Sequence, residues 1–103
     1  MSESDPVRVL CIYRVKDGKE GEFRPLLEKH WPTLSSIGLV TSEPARWYAT
    51  QDKNKCKCFI EIFDWKDGKA PQTAHELPEV MSVWEPMGAL VEDMEFLDLE
   101  TLG

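Results

Sequence analysis

The sequence is poor in positive charge and in the residues that bind metals. Its 103 residues include only 12 lysines and arginines against 19 aspartates and glutamates, which gives a formal net charge of -7. A strongly acidic chain repels nucleic acid and anionic lipid, and no apolar run approaches the length of a membrane span. The acidic start lacks the basic and apolar parts of a signal peptide. We therefore expect a cytoplasmic protein without nucleic-acid or membrane partners.

Signatures of bound cofactors are also scarce. The three cysteines are odd in number and lie in apparent strands, where reduced thiols pack as small apolar side chains. Cys56 and Cys58 lack the paired spacing of a zinc site, and the two histidines are too few to complete one. The glycines of KDGKEG have neither the spacing nor the context of a nucleotide-binding loop. We expect neither a metal nor a nucleotide cofactor.

The apolar pattern predicts one domain over residues 7–103, preceded by a flexible tail over residues 1–6. Strand-like alternation and helical periodicity succeed each other along the chain. We expect a strand at 7–15, a helix after KDGKEG, a hairpin within 45–65 that is preceded by an irregular stretch at Pro44, helical pieces within 70–92, and a last strand at 94–100. This β-α-β-β-α-β order predicts an α+β ferredoxin-like fold with both helical layers on one sheet face.

Prolines and one glycine predict where the helices begin and end. Pro32 removes a hydrogen-bond donor from the first helix, so we expect a kink or a break near Trp31. Gly38 suits the C-terminal end of that helix, and new helical turns are expected at Pro78 and Pro86. The first helix carries an apolar stripe at steps of three and four residues: Phe23, Leu26, Leu27, His30, Leu34 and Ile37.

The stretch CFIEIFDW, residues 58–65, has apolar side chains on both faces of one predicted strand. Phe59, Glu61, Phe63 and Trp65 share one parity, and the intervening apolar residues share the other. The helices cover one face only. A second copy of the same sheet is the simplest cover for the other face, since two-fold homodimers are the commonest soluble oligomers. The sequence therefore predicts a homodimer in which two sheets form a dimeric α/β barrel.

The element order, the strand end FDW and the AHELPEV segment ten residues later resemble the dimeric α/β-barrel superfamily, and specifically its antibiotic biosynthesis monooxygenase-like family. The family includes cofactor-independent oxygenases of anthrones and quinols. The resemblance implies a homodimeric monooxygenase that acts on a small aromatic or quinol substrate without metal or organic cofactor. Two other functions stay open: a non-catalytic ligand-binding or stress-associated dimer, and a proton-shuttling isomerase.

The resemblance also directs attention to two candidate catalytic residues. Burial between Phe59 and Phe63 would make Glu61 a stronger base. If the helices cover the other face of the strand instead, Glu61 would face solvent or pair with Arg46 or Arg14. His75 lies at the position of the family's helix histidine and can transfer protons near neutral pH, although a packing role is the alternative.

The candidate substrate-binding residues are mostly aromatic. They would form a flat pocket for a planar molecule, with an arginine or a tyrosine to stabilise a substrate anion, although aromatic residues at such spacing also form ordinary core. His30 is expected to be an interface or groove residue. The predicted binding set is Arg46, Trp47, Tyr48, Phe63, Trp65 and Trp84.

Overall fold

The computed structural model describes residues 5–102 and shows a four-stranded antiparallel sheet with helices packed on one face. The strand order is β2-β3-β1-β4, which is the ferredoxin-like arrangement that the sequence predicts. The predicted flexible tail falls largely on residues 1–4, which lie outside the described residues. The elements are β1 (Val7–Val15), α1 (Glu20–Ser36), β2 (Arg46–Gln51), β3 (Lys57–Trp65), α2 (Ala70–His75), α3 (Pro78–Ala89) and β4 (Val91–Leu99).

Helix α1 runs without interruption through Pro32, so the predicted break near Trp31 is wrong. Pro32 lies on the exposed side of the helix, where water can reach the carbonyl group that loses its partner. The helix ends as predicted at Gly38, which adopts a positive φ of 74°. The amides of Gly38 and Leu39 bind the carbonyls of Ser35 and Leu34, the pairing of a Schellman motif.

The second helical region consists of two helices separated by residues 76–77. Helix α3 begins at Pro78 as predicted, because proline needs no intrahelical donor partner in the first turn. The predicted new turn at Pro86 does not start another element, since Pro86 lies inside α3. Among the described residues, no helix is both long enough and apolar enough to cross a bilayer.

The two central strands present alternate side chains to the core and to the uncovered face of the sheet. On β3, Phe59, Glu61, Phe63 and Trp65 are buried beneath the helices. Strand β1 pairs with β3 in an antiparallel register that places Cys11 opposite Glu61. The core-facing residues of β1, α1 and α3 are Val9, Cys11, Tyr13, Val15, Phe23, Leu27, Leu34, Val80, Val83 and Met87.

Candidate functional site

Glu61 lies at the centre of a buried hydrogen-bond network under α1. Its side chain has no solvent exposure, and its oxygens accept hydrogen bonds from the Tyr13 hydroxyl at 2.8 Å, His30 Nδ1 at 2.7 Å and Trp47 Nε1 at 2.8 Å. The alternative of an exposed Glu61 is therefore wrong. The arginines proposed as its partners bind other acids across the surface: Arg46 lies 3.7 Å from Glu43, and Arg14 lies 3.2 Å from Asp93.

All three bonded groups can donate a hydrogen bond to the carboxyl group. An indole nitrogen such as that of Trp47 is only a donor, and a carboxylate oxygen accepts without a proton of its own. Hydrogen bonds to a carboxylate stabilise its charged form and offset the cost of burying it. Glu61 is thus a buried acid whose two side-chain oxygens are held by donors on three elements, namely β1, β2 and α1.

His30 connects this carboxylate to a tryptophan on α3. The Trp84 indole nitrogen donates to His30 Nε2 at 2.7 Å, so Nε2 must be the unprotonated ring nitrogen. The proton of the neutral ring therefore resides on Nδ1, which donates it to Glu61 Oε1. The prediction that His30 is an interface or groove residue is wrong, because its side chain is only 2% exposed and is bonded at both ring nitrogens.

Tyr13 completes the inner side of the network. Burial, followed by the negative charge of Glu61, raises the pKa of the Tyr13 hydroxyl well above its ordinary value of 10. The hydroxyl therefore remains a neutral donor at physiological pH. The same two causes raise the pKa of the neighbouring Cys11 thiol, which keeps that group protonated. Neither residue supplies a second charge to the site.

A cavity of about 230 Å³ lies against the opposite side of His30, between the sheet and helices α2 and α3. His30 and Tyr13 form its polar inner wall. The remaining surface is mainly apolar and aromatic, and it extends to β4 at the open edge, where Phe96 is exposed. Such a cavity accommodates a small planar molecule next to the His30–Glu61 pair. Its other lining residues are Val9, Phe63, Trp65, Pro71, His75, Trp84, Met87, Met94 and Asp98.

His75, the second predicted catalytic residue, lies on the outer wall of this cavity. Its ring contacts the Trp84 ring edge-on, with 4.7 Å between the ring centroids, and the side chain is exposed. It is not one of the three donors that bind the Glu61 carboxylate. The structure therefore gives His75 a packing contact at the mouth of the cavity, and its catalytic role stays a prediction.

The predicted binding residues divide between the two faces of the sheet. Phe63, Trp65 and Trp84 line the cavity. Trp47 is opposite Glu61 on the helix-covered face, but its half-exposed ring borders a separate groove beside α1. Arg46 and Tyr48 pair with Ile62 and Ile60 and so point to the other face. Placing Arg46 and Tyr48 in the same pocket as Glu61 is therefore wrong.

Sequence reasoning missed His30 and Tyr13 as site residues, although each left a signal. His30 occupies a core-facing position in the apolar stripe of α1, where an ionisable ring needs a buried partner. Tyr13 shares parity with the buried residues of β1, and its hydroxyl group also needs a buried hydrogen-bond partner. Within residues 5–102, no cluster of three or more histidine, cysteine or acidic side chains has the arrangement of a metal site.

Comparison with known proteins reveals similar structures but no similar sequences: no family model and no curated protein matches the chain. SnoaB from Streptomyces nogalater, a cofactor-independent oxygenase solved as a mutant, is 16% identical with a TM-score of 0.70, over 94% of this chain and 93% of its own. A proposed antibiotic biosynthesis monooxygenase from Chloroflexus aurantiacus is 15% identical with a TM-score of 0.69, and the match covers 96% of this chain and 95% of that protein. A NIPSNAP family protein from Agrobacterium tumefaciens is 16% identical with a TM-score of 0.70, and the match covers 99% of this chain and 90% of that protein.

These similarities extend over almost the whole chain and show a shared fold. The fold is that of antibiotic biosynthesis monooxygenase-like proteins, as the sequence resemblance implies. Proteins with different names have it, so the fold alone does not identify the reaction.

Proposed function

We propose that the protein is a homodimeric, cofactor-independent monooxygenase that acts on a small aromatic or quinol substrate. The observation that carries this proposal is the buried His30–Glu61 pair at the wall of an apolar cavity. A histidine that a carboxylate orients through Nδ1 is a common arrangement for a general base. The similar fold of SnoaB, itself a cofactor-independent oxygenase, supports the same reaction class.

In the proposed reaction His30 Nε2 takes a proton from an acidic C–H or O–H group of the substrate. Glu61 stabilises the imidazolium that forms, and it acts as a positioning residue because it does not face the cavity. The substrate anion then transfers electron density to dioxygen and forms a carbon–oxygen bond. For a methylene carbon, the resulting peroxide takes the proton back from His30 and loses water to give a ketone. The sum is R₂CH₂ + O₂ → R₂C=O + H₂O.

The cavity wall favours this chemistry by its composition. Phe63, Trp65 and Trp84 provide flat apolar surfaces that hold a planar substrate and exclude bulk water from a reactive anion. The described lining includes neither lysine nor arginine, and Asp98 lies at the open edge. A neutral substrate therefore fits this site better than a carboxylate or a phosphate ester.

The uncovered face of the sheet supports the homodimer. Leu10 and Ile12 on β1 are adjacent to Ile62 and Ile60 on β3, and all four are only half-buried in the single chain. Exposed Tyr48, Leu97 and Leu99 extend this apolar patch over β2 and β4. A continuous patch of this kind is typical of an interface between subunits.

Oxygen uptake by the metal-stripped protein, with anthrones and quinols, tests the reaction. His30→Asn and Glu61→Gln should each reduce uptake by about 100-fold or more, since each disables the base. Asp64→Asn, on the opposite face of β3, is the matched control and should retain the rate. His75→Asn tests whether the ring at the cavity mouth also transfers a proton. Lack of uptake by the unmodified protein, or full activity of His30→Asn, would contradict the proposal.

One observation favours a second candidate, a non-catalytic ligand-binding dimer. Both nitrogens of His30 are already bonded within the protein, as a purely structural network requires. In that case aromatic compounds would bind the cavity without oxygen uptake. An isomerase using the same base would convert its substrate at an unchanged rate in the absence of oxygen.

A further inference from the structure

The hydrogen bond between Trp84 and His30 blocks the nitrogen that the proposed reaction needs. A neutral imidazole has a single acceptor lone pair, and on His30 the Trp84 N–H occupies it at 2.7 Å. The other ring nitrogen is engaged with Glu61 at 2.7 Å. A substrate can therefore transfer a proton to His30 only after Trp84 has left Nε2.

Trp84 lies where such a movement would open the base to the cavity. Its ring packs between two histidines, with centroid distances of 6.1 Å to buried His30 and 4.7 Å to exposed His75. All three rings line the same cavity, and Trp84 itself is only partly buried. The indole thus separates the base from the outer part of the pocket.

We propose that Trp84 is a positioning residue that keeps His30 Nε2 unprotonated, and that a substrate hydroxyl replaces the Trp84 N–H on that nitrogen. The inference rests on the proposed function, because it assigns the hydroxyl to the proposed base. It also specifies the ligand class. The site takes neutral planar phenols and quinols in preference to ethers or carboxylates of the same shape.

The preference follows from what remains at Nε2 when Trp84 moves. A hydroxyl group donates to the lone pair and restores the lost hydrogen bond. An ether oxygen offers only lone pairs, so Nε2 would be left buried without a donor, and the ether should bind at least about tenfold more weakly. A site that hydrogen-bonds one group rejects an analogue lacking it, whereas apolar contacts discriminate weakly.

Nuclear magnetic resonance of the ¹⁵N-labelled protein tests the exchange of donors directly. The chain has four indole N–H groups, and the Trp84 signal is the one lost in Trp84→Phe. In the free protein this signal should show coupling across the hydrogen bond to His30 Nε2. The probes are 1-naphthol and 1-methoxynaphthalene, which have the same ring system. Naphthol should abolish the coupling and bind at least about tenfold more tightly than the ether.

Two variants separate the role of the Trp84 N–H from that of its ring. Trp84→Phe removes the competing donor, so neither probe has to break a hydrogen bond at Nε2. Both probes should bind about tenfold more tightly than to the unmodified protein, and naphthol should keep its advantage over the ether. Trp31→Phe is the matched control, because the buried Trp31 N–H has no hydrogen-bond partner among the described residues. Its affinities for both probes should match those of the unmodified protein.

Equal affinity for the two probes, binding of neither, or persistence of the coupling with naphthol bound would overturn the inference. None of these measurements requires turnover. Donor exchange without oxygen uptake would leave the inference intact and contradict the oxygenase. Oxygen uptake that depends on His30, combined with an undisturbed Trp84–His30 hydrogen bond in the naphthol complex, would support the oxygenase and contradict the inference.

Discussion

Two acidic residues three positions apart on β3 show how differently the two sheet faces treat the same chemical group. Glu61 points under the helices, has no exposure and is held by a tyrosine, a histidine and a tryptophan. Asp64 points to the other face and binds the exposed Arg8 guanidinium through both carboxylate oxygens, at 2.8 and 3.2 Å. Strand parity, rather than residue type, decides which acid becomes part of a site.

The two sheet faces also differ in where their apolar and charged side chains lie. The helix-covered face combines large apolar side chains with one closed polar network and a cavity beside it. The other face is apolar at its centre and carries its charges at the margins, where Arg8 pairs with Asp64 and Arg14 pairs with Asp93. An apolar centre with a charged rim suits contact with another protein surface, whereas the first face suits a small molecule.

The largest predicted effect is the difference in stability lost when Glu61 or Asp64 is replaced. Glu61→Ala leaves the donors of Tyr13, His30 and Trp47 without their acceptor in the interior, which should lower the free energy of unfolding by about 3–5 kcal/mol. Asp64→Ala should have a much smaller effect, since exposed ion pairs contribute little. Urea unfolding measures both. Equal losses for the two variants would contradict the distinction between the faces.

The next prediction concerns the proposed interface on the uncovered face. Ile62→Asp places a charge at the centre of the apolar patch, opposite Leu10. Burying an unpaired charge is costly, so light scattering should show the mass of one chain where the unmodified protein shows two. Leu102→Asp, at an exposed apolar residue beyond β4, is the control and should remain dimeric. A single-chain mass for the unmodified protein would contradict the homodimer.

The smallest effect is a change in alkaline stability caused by Tyr13. Its pKa is raised in the folded state, so its contribution is complete below pH 10 and is lost as the pH rises, because the unfolded chain ionises first. Above pH 10 the free energy of unfolding should fall by up to about 1.4 kcal/mol per pH unit from this residue. Tyr13→Phe should remove that part of the slope.

Tyr48→Phe provides the comparison for this slope, because Tyr48 is the other tyrosine of the chain and lies on the opposite face of the sheet. Cys11, whose pKa is also raised by burial, contributes from about pH 9 in both variants, so their difference isolates Tyr13. Urea unfolding at several alkaline pH values measures the slopes. An unchanged slope in Tyr13→Phe would show that the tyrosine is not buried against Glu61 as described.

The strands and their faces were accessible from the sequence because a period of two is a local property. The alternation in CFIEIFDW predicts that Phe59, Glu61, Phe63 and Trp65 share one face of the strand, but it leaves open which face the helices cover. The structure places these four residues beneath the helices. The same alternation shows why the predicted pocket was partly wrong. Arg46, Trp47 and Tyr48 are consecutive on one strand, so they cannot all point to one side of the sheet.

The partner of Glu61 was not accessible in the same way. Periodicity places His30 on the core side of α1, but it carries no information on which strand residue lies beneath that turn. The contact joins residues 31 positions apart and depends on how the helix lies across the sheet. Trp84 adds a contact over 54 positions from a third element. Tertiary packing determines such long-range pairs, and local propensity does not.

The open edge of the cavity has an evolutionary consequence. The residues of the buried network come from β1, α1, β2, β3 and α3, and each is tied to Glu61 or His30 by a hydrogen bond. The mouth is formed partly by Met94, Phe96 and Asp98 on β4, which are exposed. Substitutions on this edge strand can alter which molecules enter the cavity while the buried network stays unchanged. The shape of the cavity mouth and the buried hydrogen-bond network can therefore evolve separately.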